Sequence, residues 1–323
     1  MDQQLDPSHV EAFKERFDAV HNNVSRVIKG KPGEIRLALT SMLSEGHLLV
    51  DDVPGTGKTS LAKALAASIE GSMHRIQFTP DLLPTDVTGS MIYHSTEGRF
   101  EFHPGAVFAN VVLADEINRA SPKTQSALLE VMEERQVTVD GTVHATPRPF
   151  VVIATQNPVE FDGTYHLPEA QIDRFMIRMA MGYPSHEAEM HAIRDRLRGQ
   201  RPEDLSPVIS TSEFEWMIQT AAAVHVAESL ESYVVTVAQA TRTMEELRLG
   251  VSPRGSLALL RAAQSWAAAK GRGFVTTDDV KELAPFVLGH RMLLSPEAEL
   301  SGVTAAQLTQ RVLDAVPLPD ARV

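Results

Sequence analysis

The 323-residue chain contains no cysteine, and this absence excludes disulfides, thiolate metal sites and cysteine nucleophiles. It has no apolar run approaching the about 18 residues of a membrane-spanning helix, so we expect no membrane span. The first residues carry neither a cationic patch nor an apolar segment, so we expect a cytoplasmic protein. Basic residues are in the minority, 30 against 42 acidic ones, and the net charge of -12 disfavours nucleic acid as a partner.

Between residues 35 and 183, short apolar runs alternate with amphipathic helices. Five runs predict buried strands: His47–Val50, Arg75–Phe78, Val111–Ala114, Phe150–Ala154 and Phe175–Met181. The clearest intervening helices are predicted over residues 58–69 and 122–135, the second with Ser121 as its cap. Alternation of this kind indicates an α/β fold, with a parallel sheet covered by helices on both faces.

After residue 184 the sequence changes to helical patterns with no convincing strand. Helices are predicted near residues 186–198, 211–225, 228–247, 254–269, 277–288 and 303–314. A further helix is predicted near the start of the chain, over residues 9–30. We therefore expect an α/β domain over residues 1–184 and a C-terminal all-helical domain over residues 185–323.

Two insertions interrupt the α/β pattern. The first, at about residues 88–108, is rich in glycine and aromatic residues. The second, at about residues 136–149, places Asp140-Gly141 between two alternating runs. An Asp-Gly pair in that position predicts a β-hairpin.

The segment Leu48–Ser60 predicts a strand, a glycine turn and a helix that begins near Lys58. Backbone N–H groups in such a turn cradle phosphate, the lysine reaches the β- and γ-phosphates, and the hydroxyl of Thr59 binds Mg²⁺. The common pattern GxxxxGK[ST] has glycine where this chain has Asp52. The members of the pattern that the chain retains are Gly55, Gly57, Lys58 and Thr59.

Two later strands end in polar side chains suited to phosphoryl transfer. Asp115 and Glu116 follow an apolar strand, where the first would hold Mg²⁺ and the second would polarise the attacking water. Asn157 follows the next predicted strand and either holds the same water or satisfies a turn at the strand end.

Two arginines are candidates for stabilising charge on a γ-phosphate, which a neighbouring subunit often supplies. Arg174 begins the last predicted strand of the α/β part, and Arg254 opens a helix of the second part. Taken alone, an arginine at either place is usually a solvated or ion-paired surface residue, and only its combination with the nucleotide motifs favours a functional role.

Taken together, these motifs resemble those of the MoxR family of AAA+ ATPases over most of residues 27–184. The resemblance is carried by Val27–Gly30, Phe78–Gly89, Leu113–Arg119, Pro122–Glu130, Met132–Gln136, Ala154–Pro158, Gly163–Tyr165 and Leu167–Phe175. The helical part resembles the AAA+ lid more loosely, through Ser252–Arg254 and its number of helices.

The resemblance implies ATP and Mg²⁺ as cofactors and assigns roles to particular residues. The nucleotide-binding residues would be Val27, Ile28, Pro54, Gly55, Thr56, Gly57, Lys58, Thr59, Ser60 and Asp115. Mg²⁺ would be held by Thr59 and Asp115. The catalytic group would comprise Glu116, Asn157 as sensor 1, Arg174 as a finger acting in trans and Arg254 as sensor 2. Arg178 is a rival for the finger, Arg119 could face a neighbouring subunit, and Arg254 would sense lid movement against the α/β domain.

At the level of function, the resemblance implies a Mg²⁺-dependent ATPase that forms a homo-hexamer with both insertions facing a central pore. It implies chaperone-like remodelling, maturation or metal insertion of a partner complex, commonly with a partner that carries a von Willebrand A domain. One alternative is a nucleic-acid motor, which the absence of lysine and arginine between Gln136 and Thr146 disfavours. The other is a nucleotide-gated scaffold with little turnover.

Overall fold

A computed structural model describes residues 5–158, 165–199 and 201–319 of the chain. Its helices are α1 (Pro7–Ser25), α2 (Pro32–Leu43), α3 (Lys58–Ala67), α4 (Pro84–Thr88), α5 (Pro122–Glu134), α6 (Glu169–Ile172), α7 (His186–Leu197), α8 (Thr211–Ala222), α9 (Glu228–Arg242), α10 (Pro253–Ala269), α11 (Thr277–Leu288), α12 (Pro296–Leu300) and α13 (Ala305–Ala315). Its strands are β1 (His47–Asp51), β2 (Ile69–Glu70), β3 (Met73–Gln77), β4 (Gly89–His94), β5 (Arg99–Pro104), β6 (Val111–Asp115), β7 (Gln136–Val139), β8 (Thr142–Ala145), β9 (Val151–Gln156), β10 (Phe175–Met179), β11 (Ile209–Ser210), β12 (Leu247–Leu249) and β13 (Leu293–Leu294). Within the described ranges, no helix is both long enough and apolar enough to cross a membrane.

The chain starts with two helices where the sequence predicted one. Helix α1 is capped by Asp6, whose carboxylate accepts the N–H of Ser8 at 2.9 Å. It ends at Ser25, and α2 begins at Pro32. Proline is favoured in the first turn of a helix, where its missing N–H has no partner to lose, so Pro32 starts a helix rather than breaking one.

The five predicted buried strands form one parallel sheet with the order β10–β1–β9–β6–β3. The predicted helices between them are α3 and α5, and Ser121 caps α5 as expected by accepting the N–H of Thr124 at 3.4 Å. The strands end at what we call the carboxyl edge, formed by Asp51, Gln77, Asp115, Gln156 and Met179. They begin at the opposite, amino edge, formed by His47, Met73, Val111, Val151 and Phe175. Because the strands are parallel, the two edges carry different sets of side chains.

Both insertions contain antiparallel hairpins. Strands β4 and β5 pair within the first, and β7 and β8 pair within the second. Asp140 and Gly141 connect β7 to β8 with φ of 48° and 76°. Two successive positive φ values are the requirement of a type I′ turn, so the hairpin predicted from Asp-Gly is confirmed.

The second half of the chain is helical, as the sequence predicted, and α7 to α11 and α13 match the six predicted helices to within a few residues. It also contains short strands that the sequence did not predict. Strand β11 pairs with β2, and β12 pairs with β13. These strands are two or three residues long, too short to show the alternation by which strands are recognised.

The two halves of the chain share one apolar core. A single buried cluster runs from Phe13 and Met42 of the first two helices, across Val50 and Ile177 of the sheet, to Leu259 of α10. A second cluster covers the other face of the sheet. The core therefore continues across the expected domain boundary at residue 184, and that boundary remains a prediction.

Candidate functional site

The glycine turn between β1 and α3 has the backbone of an anion cradle. Gly55 and Gly57 have φ of 86° and 91°, a region that residues with a side chain rarely adopt. A Cβ built at either position would meet no atom within 4 Å, so the turn is open towards a ligand. Helix α3 starts directly after Gly57, and its N-terminal N–H groups add to the positive end of the cradle. Pro54 and Ser60 lie on either side of this turn.

Lys58 is folded back onto this turn. Its ammonium group donates to the carbonyl of Val53 at 2.9 Å and also to the carbonyl of Asp52. The hydroxyl of Thr56 donates to the same Val53 carbonyl at 3.2 Å. Burial lowers the pKa of Lys58, and the carboxylates of Asp52 and Asp51 raise it in part. The lysine is therefore held in the mouth of the loop by groups that phosphate oxygens can replace.

Asp115, the last residue of β6, lies against the start of α3. Both of its oxygens are 3.2 Å from the hydroxyl of Thr59, and one accepts the hydroxyl of Thr155 at 2.6 Å. The guanidinium group of Arg75 on β3 pairs with the other oxygen at 2.6 Å. A carboxylate beside a hydroxyl is a donor set that suits Mg²⁺, so the side chains present fit the expected ion.

Two side chains, those of Gln77 and Arg119, hold the carboxylate of Glu116. Its φ of 56° lets the chain turn out of β6, and its N–H donates to the hydroxyl of Thr155 at 2.9 Å. Its carboxylate accepts from Gln77 at 3.1 Å and from Arg119 at 2.8 Å. Arg119, which sequence reasoning considered for a neighbouring subunit, thus binds Glu116 of its own chain.

Asn157 directly follows β9, which lies between β1 and β6 in the sheet. Its main-chain carbonyl oxygen accepts from the side-chain amide of Asn118 at 2.9 Å. The structure therefore brings Lys58, Glu116 and Asn157 to the same carboxyl edge, as the motifs predicted. Of the segments that carried the resemblance, Gly163 and Thr164 lie outside the described residues.

Asp52 stands where the common phosphate-loop pattern has glycine. Its carboxylate connects the loop to the segment that follows β10. One carboxylate oxygen accepts the N–H of Val53 at 2.7 Å, and the other accepts the N–H of Gly182 at 2.6 Å. Gly182 lies just before α7, where the second half of the chain begins. The aspartate therefore joins the phosphate loop to the segment between the two halves.

The segment expected to contact adenine lies in the turn after α1. Val27 lines a cavity of about 350 Å³ together with Leu205, and Lys29 pairs with Asp195 of α7 at its rim. Lys63 of α3 pairs with Glu203, two residues before Leu205, which sets this cavity beside the phosphate-loop helix. Ile28, named with Val27 in the expected set, is buried in the apolar core instead.

Arg174 and Arg254 lie together at the amino edge, not at the phosphate loop of their own chain. Arg174 precedes β10, and its Nε contacts Oε2 of Glu133 at 2.9 Å. Arg254, at the start of α10, binds the other oxygen of Glu133. A five-residue strand spans about 16 Å, which separates this edge from Glu116. Through Glu133, Arg254 of α10 contacts helix α5 of the α/β part, and its expected role in sensing lid movement stays a prediction.

The rival arginine is on the other side of the sheet domain. Arg178 lies near the end of β10 and its Nε donates to Asp51 of β1 at 3.0 Å. Asp51 is the last residue of β1, so this pair belongs to the carboxyl edge. Of the two finger candidates, Arg174 is therefore the one placed at the amino edge.

The amino-edge arginines open into a cavity of about 410 Å³ that carries an excess of positive charge. Its lining includes the five arginines Arg135, Arg174, Arg254, Arg261 and Arg291. It also includes the three carboxylates Glu45, Glu133 and Asp173. A concave surface in which arginines outnumber carboxylates attracts anions.

Arg291 fixes the segment that carries Arg174. It comes from the turn after α11, is 7% exposed, and pairs with Asp173 at 2.7 Å. It also donates to the carbonyls of Phe175 at 2.8 Å and Met176 at 3.1 Å. The second half of the chain thus holds the start of β10 through a buried ion pair.

Sequence reasoning did not identify Arg75, Gln77, Glu133 or Arg291 as members of these sites. Gln77 and Asp115 are register partners in neighbouring strands, so a prediction of strand order would have placed Arg75 and Gln77 beside Asp115 and Glu116. No local pattern marks Glu133 or Arg291, because their partners are more than 40 residues away in the sequence.

Known proteins resemble this chain over nearly its whole length. Residues 47–177 match the model of the ATPase family associated with various cellular activities (AAA), and residues 239–312 match that of the AAA lid domain. The chain is 43% identical to the protein named chaperone MoxR1 of Mycobacterium tuberculosis, covering 92% of this chain and 80% of that one. It is 32% identical to protein MoxR of Paracoccus denitrificans, covering 90% and 93%.

A solved structure gives the same result for the fold. The crystal structure of a candidate ATPase from Cytophaga hutchinsonii superposes with a TM-score of 0.90 at 37% identity, covering 97% of this chain and 98% of that one. The superposition therefore covers both the AAA domain and the lid domain. The chain therefore belongs to the MoxR family of AAA+ ATPases.

Proposed function

We propose that the chain hydrolyses ATP with Mg²⁺ at the carboxyl edge and that it works in a ring of identical subunits. The observation that carries the ring is the position of Arg174 and Arg254, which lie a strand length away from the phosphate loop of their own chain. Arginines placed in this way can reach a γ-phosphate only on a second copy. Each complete site would therefore be shared between two subunits.

At the carboxyl edge, each side chain has a role in phosphoryl transfer. Lys58 would leave the loop carbonyls for the β- and γ-phosphates, and the N–H groups of the turn would hold the remaining oxygens. Thr59 and Asp115 would hold Mg²⁺, which supplies positive charge to the phosphate oxygens when bound. Glu116 would orient and polarise the attacking water, and Asn157 would hold that water in place.

The base of the nucleotide would lie in the cavity lined by Val27 and Leu205. Val27 and Leu205 supply the apolar contacts that an adenine ring requires, charged side chains complete the lining, and the cavity adjoins the helix that begins at Lys58. Ile28 would support Val27 from the core without touching the nucleotide.

At the amino edge, the arginine-lined cavity would receive the phosphates of the neighbouring subunit. An interface between two different edges of the same chain is heterologous, and repetition of such an interface gives a ring when the rotation closes. We take the ring to be a homo-hexamer, from the resemblance to the MoxR family. Arg174 would stabilise the charge of the transition state, and Arg254 would contact the same phosphate.

We further propose that the ring remodels proteins in the cytoplasm. The relative from Mycobacterium tuberculosis is named a chaperone, which supports a protein client. The first hairpin presents Tyr93 and Phe100 as a contacting ring pair, 55% and 64% exposed, which suits apolar segments of an unfolded chain. Maturation or metal insertion of a partner complex, with a partner carrying a von Willebrand A domain, is the specific form that the family resemblance suggests.

The charge of the second hairpin disfavours a nucleic-acid motor. Strands β7 and β8 carry no lysine or arginine, and Asp140 lies at their turn. A hairpin without positive charge has no means of following a phosphate backbone. The scaffold alternative is opposed by Glu116, since a protein that only binds ATP has no need of a general base.

A mixing experiment tests the shared site. Lys58→Ala removes the phosphate ligand and Arg174→Ala removes the finger, so each variant alone should lose at least about 100-fold in ATP turnover. In an equal mixture, about a quarter of the interfaces would join an intact loop to an intact arginine, so activity should return to about a quarter of the wild-type value. Phosphate release at a protein concentration that supports rings measures this recovery.

Two outcomes would contradict the proposal. An Arg174→Ala protein that keeps wild-type turnover would show that the amino edge takes no part, and a mixture as inactive as its components would exclude a shared site. Glu116→Gln serves as a control for the scaffold alternative, because that alternative predicts equal turnover with and without the carboxylate. Stimulation of turnover by DNA would favour the nucleic-acid motor.

A further inference from the structure

Glu133 is the only acidic side chain that contacts both amino-edge arginines among the ion pairs of the described residues. Its Oε2 lies 2.9 Å from Nε of Arg174, and its Oε1 is bound by Nη2 of Arg254. Each carboxylate oxygen of Glu133 thus binds one guanidinium group. The carboxylate occupies the donors with which the two arginines would bind an anion.

Two of the other three arginines of the cavity have carboxylate partners of their own, and Arg261 forms no ion pair among the described residues. Arg135 pairs with Glu45 at 2.5 Å, and the buried Arg291 pairs with Asp173. Glu133 is therefore left as the counter-ion of Arg174 and Arg254 together. Two positive charges share a single negative one, so they keep a net attraction for a further anion.

These contacts do not carry much of the folding energy. The side chain of Glu133 is 32% exposed, Arg174 is 29% exposed and Arg254 is 45% exposed. Ion pairs with this exposure contribute little to stability, because water screens the charges and the side chains lose rotamer freedom. Because the ion pairs of Glu133 stabilise the fold little and involve the two arginines proposed to bind phosphate, they point to a role in phosphate binding.

We propose that Glu133 is an internal competitor of the nucleotide phosphate, which must be displaced before Arg174 and Arg254 can engage the neighbouring subunit. This inference rests on the proposed function, and it adds a residue that sets how readily the site closes. Both anions compete for the same N–H donors, and the multiply charged γ-phosphate replaces the single carboxylate when the two subunits meet. In the isolated subunit, Glu133 keeps the arginines paired.

The charge of Glu133, not its shape, is the feature that matters. Glutamine at this position fills nearly the same volume but cannot form an ion pair with either guanidinium group. The neighbouring Glu134 makes a matched control, since it lies in the same turn of α5 and forms no ion pair among the described residues. Glu133→Gln and Glu134→Gln therefore change the net charge equally and differ only in contact with the arginines.

ATP turnover against ATP concentration tests the inference in the full-length protein. Glu133→Gln should lower KM for ATP by about two- to tenfold, the range expected from removing two partly exposed competing ion pairs. The value of kcat should stay within about twofold of wild type, because phosphate replaces the carboxylate before the chemical step. Glu134→Gln should leave both constants unchanged.

A second measurement does not depend on hydrolysis. Light scattering follows assembly as a non-hydrolysable ATP analogue is added, and the midpoint for Glu133→Gln should fall by the same factor as KM. The double variant Glu133→Gln/Arg174→Ala should lose most of that gain, because the competitor acts through this arginine.

Two results would overturn the inference. An unchanged KM and midpoint would show that the carboxylate does not compete, and a lowered kcat would show that Glu133 aligns the arginines instead of restraining them. The failure of the proposed function is a separate result, because Arg174→Ala would then retain turnover in an otherwise wild-type chain. Full loss in Arg174→Ala with no effect of Glu133→Gln contradicts the inference on Glu133 alone.

Discussion

At the scale of single residues, His47 joins three elements through one buried ring. Its Nδ1 accepts the N–H of Val152 in β9 at 3.0 Å, and its Nε2 donates to the carbonyl of Met132 in α5 at 3.0 Å. Its pKa is lowered from 6.5 to about 4, mainly by burial and to a lesser extent by the charge of Arg135, while the hydrogen bond to Met132 opposes the shift. The folded protein therefore needs the neutral form of this ring.

We expect acid to destabilise the fold through His47. Below pH 6.5, the unfolded chain binds a proton that the folded ring excludes until about pH 4, so the free energy of unfolding falls as the pH falls through this window. The loss is about 2 kcal/mol between pH 7 and pH 5. His47→Gln keeps a donor and an acceptor but cannot titrate, so it should remove this part of the pH dependence, measured by urea unfolding at both pH values.

His191→Gln is the matched control, since His191 lies on an exposed part of α7. His290, whose pKa burial also lowers, contributes its own share in every variant. If His47→Gln lost as much stability between the two pH values as wild type does, His47 would not be the source of the acid sensitivity.

The residues that sequence reasoning found and those that it missed differ in how their contacts arise. Lys58 and Asp115 are marked by local patterns, because the loop and the strand end that position them are adjacent in sequence. Gln77 reaches Glu116 through the register between β3 and β6, and Glu133 reaches Arg254 through the packing of α10. Contacts of the second kind depend on strand order and helix packing, which a single sequence does not specify.

At the scale of elements, the phosphate loop is joined to the second half of the chain through Asp52. Its carboxylate accepts the N–H of Gly182 at 2.6 Å, and the ammonium group of Lys31 donates to the carbonyl of Tyr183 at 3.2 Å. The segment before α7 is thus held by one anion from the loop and one cation from the start of α2. These contacts therefore tie the phosphate loop and the start of α2 to the segment that leads into α7.

Hydrogen exchange at Gly182 measures the strength of this connection. Asp52→Gly restores the common glycine but removes the acceptor, and a hydrogen bond to a charged group contributes about 1.5–3 kcal/mol. We expect the Gly182 amide to exchange at least about tenfold faster in this variant. Asp52→Asn keeps an oxygen acceptor and should retain most of the protection.

Equal exchange rates in wild type and Asp52→Gly would show that the loop does not restrain this segment. The same measurement with and without an ATP analogue tests whether an occupied loop alters the connection. Binding of the analogue to Asp52→Gly, followed separately, distinguishes a broken connection from a damaged phosphate loop.

The elements predicted from sequence were those with strong local features. The Asp140-Gly141 turn was found because two left-handed residues in succession need such a pair. Helix α2 was missed because Pro32-Gly33 was interpreted as a break, although proline is well suited to a first turn. Strand β11 was missed because a two-residue strand has no periodicity.

At the scale of the whole molecule, the lid and the sheet domain are parts of one packed body. Both tryptophans of the chain lie in the second half, and each contacts an arginine of the first two helices. Arg16 of α1 lies 5.1 Å from the ring of Trp216, and Arg36 of α2 lies 5.6 Å from the ring of Trp266. The sequence predicted the helices of the lid but not this placement, because their arrangement depends on the apolar faces of both halves.

We therefore expect the full-length chain to unfold in a single transition. Removal of the lid would expose the apolar faces of α1, α2 and β10 that it covers, so the sheet domain should not outlast it. Tryptophan fluorescence reports the lid and its contacts with the first helices, whereas binding of a fluorescent ATP analogue reports the phosphate loop. The two signals should share one urea midpoint, and a chain cut after residue 184 should lack a cooperative transition. If the fluorescence changed at lower urea than nucleotide binding did, or if the shortened chain folded, the boundary would separate two independent domains and the shared core would contribute little.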